Sequence, residues 1–185
     1  MAVTHVAYEA EGWGVGELVL VDGRVTWHEL PWPRPAETGP AGMGVAKVPS
    51  RTPTRPGIGA SVSRNVSRGR AGFVTELIRR LQGYFAGEDG GFDDVELDLE
   101  YDSGFQARCA VALRGVPRGE VVTYGELAAL AGAPGAARAA GTFCARNRLG
   151  LFVPCHRVVS AGGLGSYGSY GLDYKRRLLE LEHAL

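Results

Sequence analysis

The sequence predicts an α+β fold: a small N-terminal α/β domain with antiparallel strands over residues 1–103, then a mostly helical C-terminal domain over residues 104–185. The second part is expected to hold a helix-turn-helix and a turn at Pro154-Cys155-His156-Arg157. Three observations lead there. Two β-prone runs flank Asp22-Gly23. Apolar residues recur at helical spacing from Phe73 onward. After Ser103 the texture changes to alanine-rich helical segments punctuated by Gly and Pro.

Val15 to Val21 and Arg24 to Leu30 are β-prone, and Asp22-Gly23 suits a two-residue turn with positive φ, so the pair reads as a hairpin. Pro31 to Arg70 is rich in Pro, Gly, Ser and Arg without a period, and is read as a long mobile loop. Between Lys47 and Arg70 six cations (Lys47, Arg51, Arg55, Arg64, Arg68, Arg70) meet no acid. A phosphate contact is one reading of them; a solvated insertion is preferred. "FVTELIRRLQGYF" sets Phe73, Leu77, Ile78, Leu81, Tyr84 and Phe85 on one helical face. "VELDLEY" alternates Val95, Leu97, Leu99 and Tyr101 with acids, the pattern of a half-buried strand.

"GFQARCAVALRGV" is apolar at helical spacing and ends at Gly115 and Pro117, with Cys109 as a core residue. "VTYGELAALAG" is a short helix starting near Thr123 or Tyr124, with Gly132 past its end. A second helix follows Pro134. Two short helices joined by a Gly-containing turn make a helix-turn-helix candidate. The second carries Ala136, Ala137, Ala139, Ala140 and Gly141 around Arg138. Alanines also line ordinary helix contacts, but a lone cation among apolar neighbours is costly to bury. A smooth face with one projecting cation can enter a DNA groove and fill a vacancy in the base stack.

The 185 residues suit one domain, or two small ones sharing a core. No apolar run is long enough to span a bilayer, and no basic stretch with an apolar core opens the chain, so neither a membrane anchor nor a signal peptide is expected. Cys109, Cys144 and Cys155 form an odd set without framework spacing, which points to a reduced, cytoplasmic setting. No CxxC or HxxxH pattern occurs, so no structural metal and no cofactor is expected. The net charge of zero hides a division. Eight acids and no Lys or Arg lie between Glu88 and Asp102; seven arginines face only Glu120 and Glu126 between Gly104 and Arg157. The second half therefore carries a local positive field suited to a polyanion.

"FVPCHRVV" sets a thiol and an imidazole side by side after a proline. Neighbours on a strand point to opposite faces, so a shared site requires the chain to turn there. Three readings stand: a nucleophile with its base, half of a metal site, or an inert buried thiol.

"GEVVTYGELAALAG", "AARAAG", "ARN", "PCHRVV" and "GLDYKRRLLELE", in that order and spacing, resemble the O6-alkylguanine-DNA alkyltransferases, the methylated-DNA–protein-cysteine methyltransferases. The resemblance covers Gly104 to Glu182 and is loose before it. It implies that Cys155 accepts an alkyl group, that His156 takes its proton through a water, and that Glu182 orients His156. It makes Arg138 the finger that replaces a flipped guanine, with Ala136, Ala137 and Gly141 permitting close minor-groove approach. Tyr124 is implied to crowd the target phosphate and contact the flipped base, Asn147 to brace the turn before the active strand, and Lys175 to lie close to the site. Arg157 is implied to be structural. Arg146 is expected to contact DNA, and so is Arg148, which stands where the family has a proline; Val158, Tyr167 and Ser169 are implied to wall the base pocket, with Gly168 and Ser169 at the aromatic position if the alignment has no gap.

Where the family has Asn-Pro-x-Pro, this chain has Asn147-Arg148-Leu149-Gly150, so a looser turn is expected. The implied partner is double-stranded DNA containing O6-alkylguanine, repaired by a monomer that is consumed in one turnover. The alternatives are a non-catalytic binder of alkylated DNA, which Cys155 disfavours, and a relative acting on small alkylated molecules, which Arg138 and Tyr124 disfavour. A Cys-His hydrolase is a further reading, disfavoured by the lack of a recognisable oxyanion-hole loop.

Overall fold

A computed structural model describes residues 1–33 and 68–185. The chain opens with an antiparallel sheet of three strands in the order β1 (Val3–Ala10), β2 (Gly14–Val21), β3 (Arg24–Trp32). Asp22 and Gly23 both have positive φ, 50° and 91°, which is the tight turn expected of that dipeptide, and Val21 pairs with Arg24. Strand β1 is not singled out by the sequence. Only Tyr8 and Ala10 of it are buried, so its period-two signal is faint.

Helix α1 (Arg68–Phe85) packs against the sheet through Leu77, Leu81, Tyr84 and Phe85, the face its spacing predicts. A fully buried leucine of this kind contributes about 1.5–3 kcal/mol relative to its exposed state. Gln82 Nε2 donates to the Glu9 carbonyl and Trp13 Nε1 to the Phe85 carbonyl, so helix and sheet are also pinned by polar contacts.

Two predicted boundaries are corrected. The Pro31–Arg70 segment loses both ends: Pro31 and Trp32 close β3, and Arg68 begins α1. Its remaining part, 34–67, including Lys47, Arg51, Arg55 and Arg64, lies outside the described residues. "VELDLEY" does not form a strand. It runs beside β3 with one parallel bridge, Val25 to Leu97, closed by Val25 N to Glu96 O and Asp98 N to Val25 O, both 3.0 Å. The alternation reports burial correctly, since Val95 is buried and Leu97, Leu99 and Tyr101 are half-buried, but the backbone pairing stops after one register position.

Helix α2 (Gly104–Arg114) starts at Ser103, whose Oγ accepts from Gln106 N. Helix α3 (Tyr124–Leu130) starts in a capping box: Glu126 N donates to Thr123 Oγ1, and Thr123 N donates to Glu126 Oε2. Helix α4 (Ala137–Arg146) follows a six-residue turn and packs on α3, and α5 (Gly171–Leu181) closes the fold. Strands β4 (Val122–Thr123) and β5 (Val158–Val159) pair in parallel, Val122 with Val158 and Thr123 with Val159. That short ladder holds the Cys155–Arg157 turn against the start of α3.

One apolar core runs through both halves, from Tyr8, Leu18 and Leu30 to Cys109, Leu113, Leu127, Phe143, Phe152 and Leu178. Cys109 is fully buried in it, as its helical position predicts. No described helix is long and apolar enough to cross a membrane.

Candidate active site

Pro154 ends the preceding segment, and Cys155–Arg157 form one turn of 3₁₀ helix. In this tight turn neighbouring side chains are not held on opposite faces as they are along a strand. Cys155 is 8% exposed and His156 fully buried.

The His156 ring meets a carboxylate brought by the end of α5. Its Nε2 lies 3.0 Å from Glu182 Oε1, and Glu182 is 2% exposed. Arg157 donates from Nε to Glu182 Oε2 at 2.9 Å and from Nη2 to Oε1 at 2.8 Å. Tyr84, from α1, donates its hydroxyl to the same Oε1 at 2.6 Å and lies 3.4 Å from His156 Nε2. Burial alone would raise the Glu182 carboxyl, but hydrogen bonds from His156 and Arg157 outweigh it and hold the group ionised far below the usual range. Burial depresses the His156 imidazole, more than Glu182 raises it, so the ring rests neutral. An ionised carboxylate can only accept, so the neutral ring carries its proton on Nε2. Nδ1 then bears the lone pair; it is buried and meets no protein partner among the described residues.

Cys155 has its own neighbours. Burial pushes its thiol up, while Asn147 and Lys175 favour the thiolate. Asn147 Nδ2 lies 3.1 Å from Sγ and donates to the Val153 carbonyl at 2.7 Å, and its Oδ1 accepts from Leu149 N. Asn147 thus touches both the turn and the sulfur. Lys175 is fully buried on α5; its Nζ donates to the carbonyls of Val158, Leu164 and Ser166, pinning the segment after β5. Tyr167 is buried in that segment beside Tyr170 and Tyr174, and its hydroxyl has no hydrogen bond of ordinary geometry among the described residues, although it is near enough to Cys155 to affect the thiol. Val158 is buried, whereas Ser169 is exposed.

Tyr124, the first residue of α3, lies between α4 and the loop after β5. A Cβ on Gly165 would come within 3.0 Å of its hydroxyl, and one on Gly141 within 3.8 Å of its ring. On α4, Arg138 is exposed, and its side chain makes no hydrogen bond or ion pair with the described residues; its carbonyl accepts from Thr142. Ala136, Ala137 and Gly141 are half-buried on the same helix end. Arg146 is exposed and sits 3.6 Å from Asp102, and Arg148 is half-buried.

The arginine-rich second half divides in a way charge counting misses. Arg108 donates to Ala131 O; Arg114 to Phe92 O, Asp93 O and Val95 O; Arg118 to Glu88 O, Gly87 O and Leu181 O. These cations brace loops through backbone carbonyls. Sequence reasoning did not single out Tyr84; Arg157, expected to be structural, holds Glu182 and the Val116 carbonyl. Tyr84 looked like one more core aromatic, and only its hydroxyl hinted that a buried polar end needed a partner.

Among the described residues no group of three or more His, Cys, Asp or Glu could hold a metal ion.

Residues 104–184 match the family model for the 6-O-methylguanine DNA methyltransferase DNA binding domain. A methylated-DNA–protein-cysteine methyltransferase of Mycobacterium bovis is 49% identical over 112 residues, which span 60% of this chain and 66% of that protein's length. One from Methanopyrus kandleri is 46% identical over 116 residues, 62% of this chain and 86% of its own. Among solved structures, the Mycobacterium tuberculosis O6-methylguanine methyltransferase superposes with a TM-score of 0.68 at 32% identity, covering 99% of this chain and 94% of that one. The same organism's protein in complex with DNA gives 0.67 at 37% identity, covering 97% and 93%. Sequence and fold together assign this chain to the methylated-DNA–protein-cysteine methyltransferase family.

Proposed function

We propose that this protein repairs double-stranded DNA by flipping O6-alkylguanine out of the helix and transferring the alkyl group irreversibly to Cys155. The observation that carries the reading is the 3.0 Å contact of His156 Nε2 with Glu182, which fixes the tautomer by inference. The ring's Nε2–H is committed to Glu182, which leaves Nδ1 as a buried base one residue from a buried thiol. A thiol raised by burial needs such a base before it can act as a nucleophile.

In the proposed step, His156 Nδ1 takes the thiol proton, through a water. The sulfur lone pair attacks the alkyl carbon, and the carbon–O6 bond breaks with its electron pair passing to guanine, which takes up a proton from water while the imidazolium releases its own. Glu182 and Tyr84 steady the imidazolium while it exists. The product is a thioether with no route back, so each molecule acts once.

Arg138 is the proposed filler of the gap left by the flipped base, with Ala136, Ala137 and Gly141 giving the helix a low profile in the minor groove. Tyr124 is proposed to contact the flipped base, Val158 and Tyr167 to wall its pocket, with Ser169 at the rim. Asn147 and Lys175 hold the turn and the loop around the sulfur. Arg146 and Arg148 are proposed phosphate contacts, and the protein is proposed to act as a cytoplasmic monomer.

The test is intact-mass measurement after mixing with duplex DNA carrying O6-methylguanine, followed by digestion and peptide mapping. One added methyl per protein, on the peptide containing Cys155, is expected. Methyl on Cys144, or many turnovers per protein, would reject the mechanism. Tight binding of the damaged duplex with no mass change would point to a non-catalytic binder.

A further inference from the structure

The turn that carries Asn147 is expected to be loose, because Arg148-Leu149-Gly150 has no proline to stiffen it. The structure instead shows it gripped from outside. His28, on β3 and 4% exposed, donates its backbone N–H to the Arg148 carbonyl at 3.0 Å and forms a parallel bridge with Leu149. Its Nδ1 hydrogen-bonds the Gly150 carbonyl. A carbonyl only accepts, so Nδ1 carries the proton and Nε2 must accept; the Tyr8 hydroxyl supplies that bond at 2.7 Å. The His28 ring also stands edge-on to Phe152, with centroids 5.1 Å apart. Gly150 approaches β3 so closely that a Cβ there would lie 3.3 Å from Leu30.

The next residue, Leu151, sits at φ +68°, a left-handed conformation that a leucine does not adopt unless its surroundings hold it. The strained residue lies between the clamped carbonyl and Val153, whose carbonyl Asn147 holds while reaching Cys155 Sγ.

We propose that His28, supported by Tyr8, is a positioning residue for alkyl transfer: it clamps the Arg148–Leu151 turn from the N-terminal sheet and thereby keeps Asn147 on the Cys155 sulfur. His28 touches neither sulfur nor substrate and acts through Asn147. The proposal rests on the transfer reading above, and the two can fail separately.

The test compares the unaltered protein with His28→Leu, His28→Asn and Tyr8→Phe. Single-turnover transfer is measured from O6-methylguanine duplex and from free O6-benzylguanine. Duplex affinity is measured separately, and amide hydrogen exchange is followed over residues 147–153. Losing the hydrogen bonds to Gly150 and Tyr8 should slow His28→Leu by about tenfold on both substrates. Exchange at Arg148 to Leu151 should rise by a similar factor, with duplex affinity within about twofold. His28→Asn keeps an N–H near the Nδ1 position and should recover most of the rate, which general loss of packing would not allow. Tyr8→Phe should fall between the two.

A folded His28→Leu that transfers at the unaltered rate overturns the proposal, as does a His28→Asn no better than His28→Leu. If His28→Leu does not fold, Tyr8→Phe decides, and an unchanged rate and exchange there also overturn it. If the unaltered protein transfers nothing, the functional reading has failed, while the exchange measurement still tests the clamp.

Discussion

The Tyr84 hydroxyl donates to Glu182 Oε1 at 2.6 Å, across 98 residues of chain, on the same oxygen that His156 and Arg157 share. A helix of the N-terminal half thus completes the carboxylate that orients the imidazole. Burial and the neighbouring carboxylate both raise the Tyr84 hydroxyl well above its ordinary range, so it stays a donor. Tyr84→Phe removes one charge-assisted hydrogen bond, of about 1.5–3 kcal/mol, from a site with little water access. Several-fold slower transfer from both duplex and free base is expected, with DNA affinity unchanged. A folded variant at the original single-turnover rate would remove Tyr84 from the relay.

Glu182→Gln should cost more. It keeps the shape but loses the charge that stabilises an imidazolium and pairs with Arg157. Breaking a buried pair in this way destabilises by about 3–5 kcal/mol. The transfer rate should fall at least tenfold, by the cost of an unsupported imidazolium, while duplex affinity changes little. Rates and binding curves measured side by side check the split; equal losses in both would show a general collapse of the site.

Arg138→Ala separates three roles by substrate. As a gap-filler, Arg138 matters only when a base leaves a stack, and unstacking costs a few kcal/mol. Repair of methylated duplex should slow strongly while reaction with free O6-benzylguanine stays near its original rate. A modest loss recovered at low salt would mark a phosphate contact instead. Equal slowing on both substrates in a well-folded variant would defeat the assignment.

Salt dependence should distinguish surface arginines from bracing ones. Affinity is expected to fall as salt rises, with weak sequence preference. Arg146→Ala should reduce the slope of log affinity against log salt by up to about 0.9, the value for one neutralised phosphate on duplex DNA. Arg114→Ala should leave the slope alone and lower the melting temperature, because its guanidinium holds three carbonyls. A slope that responds to Arg114 and ignores Arg146 would reverse that assignment.

Acid should destabilise the fold before it titrates surface carboxylates. Burial lowers His28 from 6.5 to about 4, despite its bond to Gly150, and lowers His156 as well. Below pH 6.5 the unfolded chain gains protons that the folded chain refuses, so stability falls with pH until the folded values are reached. Glu182 acts in the same direction: its contribution is complete above the unfolded carboxyl value and is lost on further acidification. For His28 alone the loss between pH 6.5 and 5 is roughly 2 kcal/mol. Urea unfolding at pH 7 and pH 5 measures it, and His28→Asn should show a shallower dependence. Equal stability at the two pH values would contradict the neutral, buried state of both rings.

What the sequence determined by itself is whatever depends on near neighbours. Asp22-Gly23 makes its turn because few dipeptides tolerate two positive φ values. Thr123 and Glu126 start α3 because their side chains reach each other's backbone across one turn. Phe73 to Phe85 forms a helix whose buried face is visible as a period. Pro154-Cys155-His156-Arg157 is legible as a candidate site because the thiol and the imidazole are adjacent in the chain. The alternation of Val95 to Tyr101 was legible as burial and misleading as a strand, because a strand also needs a partner along its length, and β3 meets it at one position.

The tertiary structure decided which polar ends meet. Tyr84 and Phe85 are both core aromatics by spacing, and only the fold brings one hydroxyl to Glu182. Arg114, Arg118 and Arg146 are equal charges in the sequence, yet two brace carbonyls and one faces outward beside Asp102. His28 has no mark in its own neighbourhood; its partner Gly150 lies 122 residues away. Periodicity and propensity act over a few residues, whereas a buried hydrogen bond is specified by geometry that exists only once the core has closed.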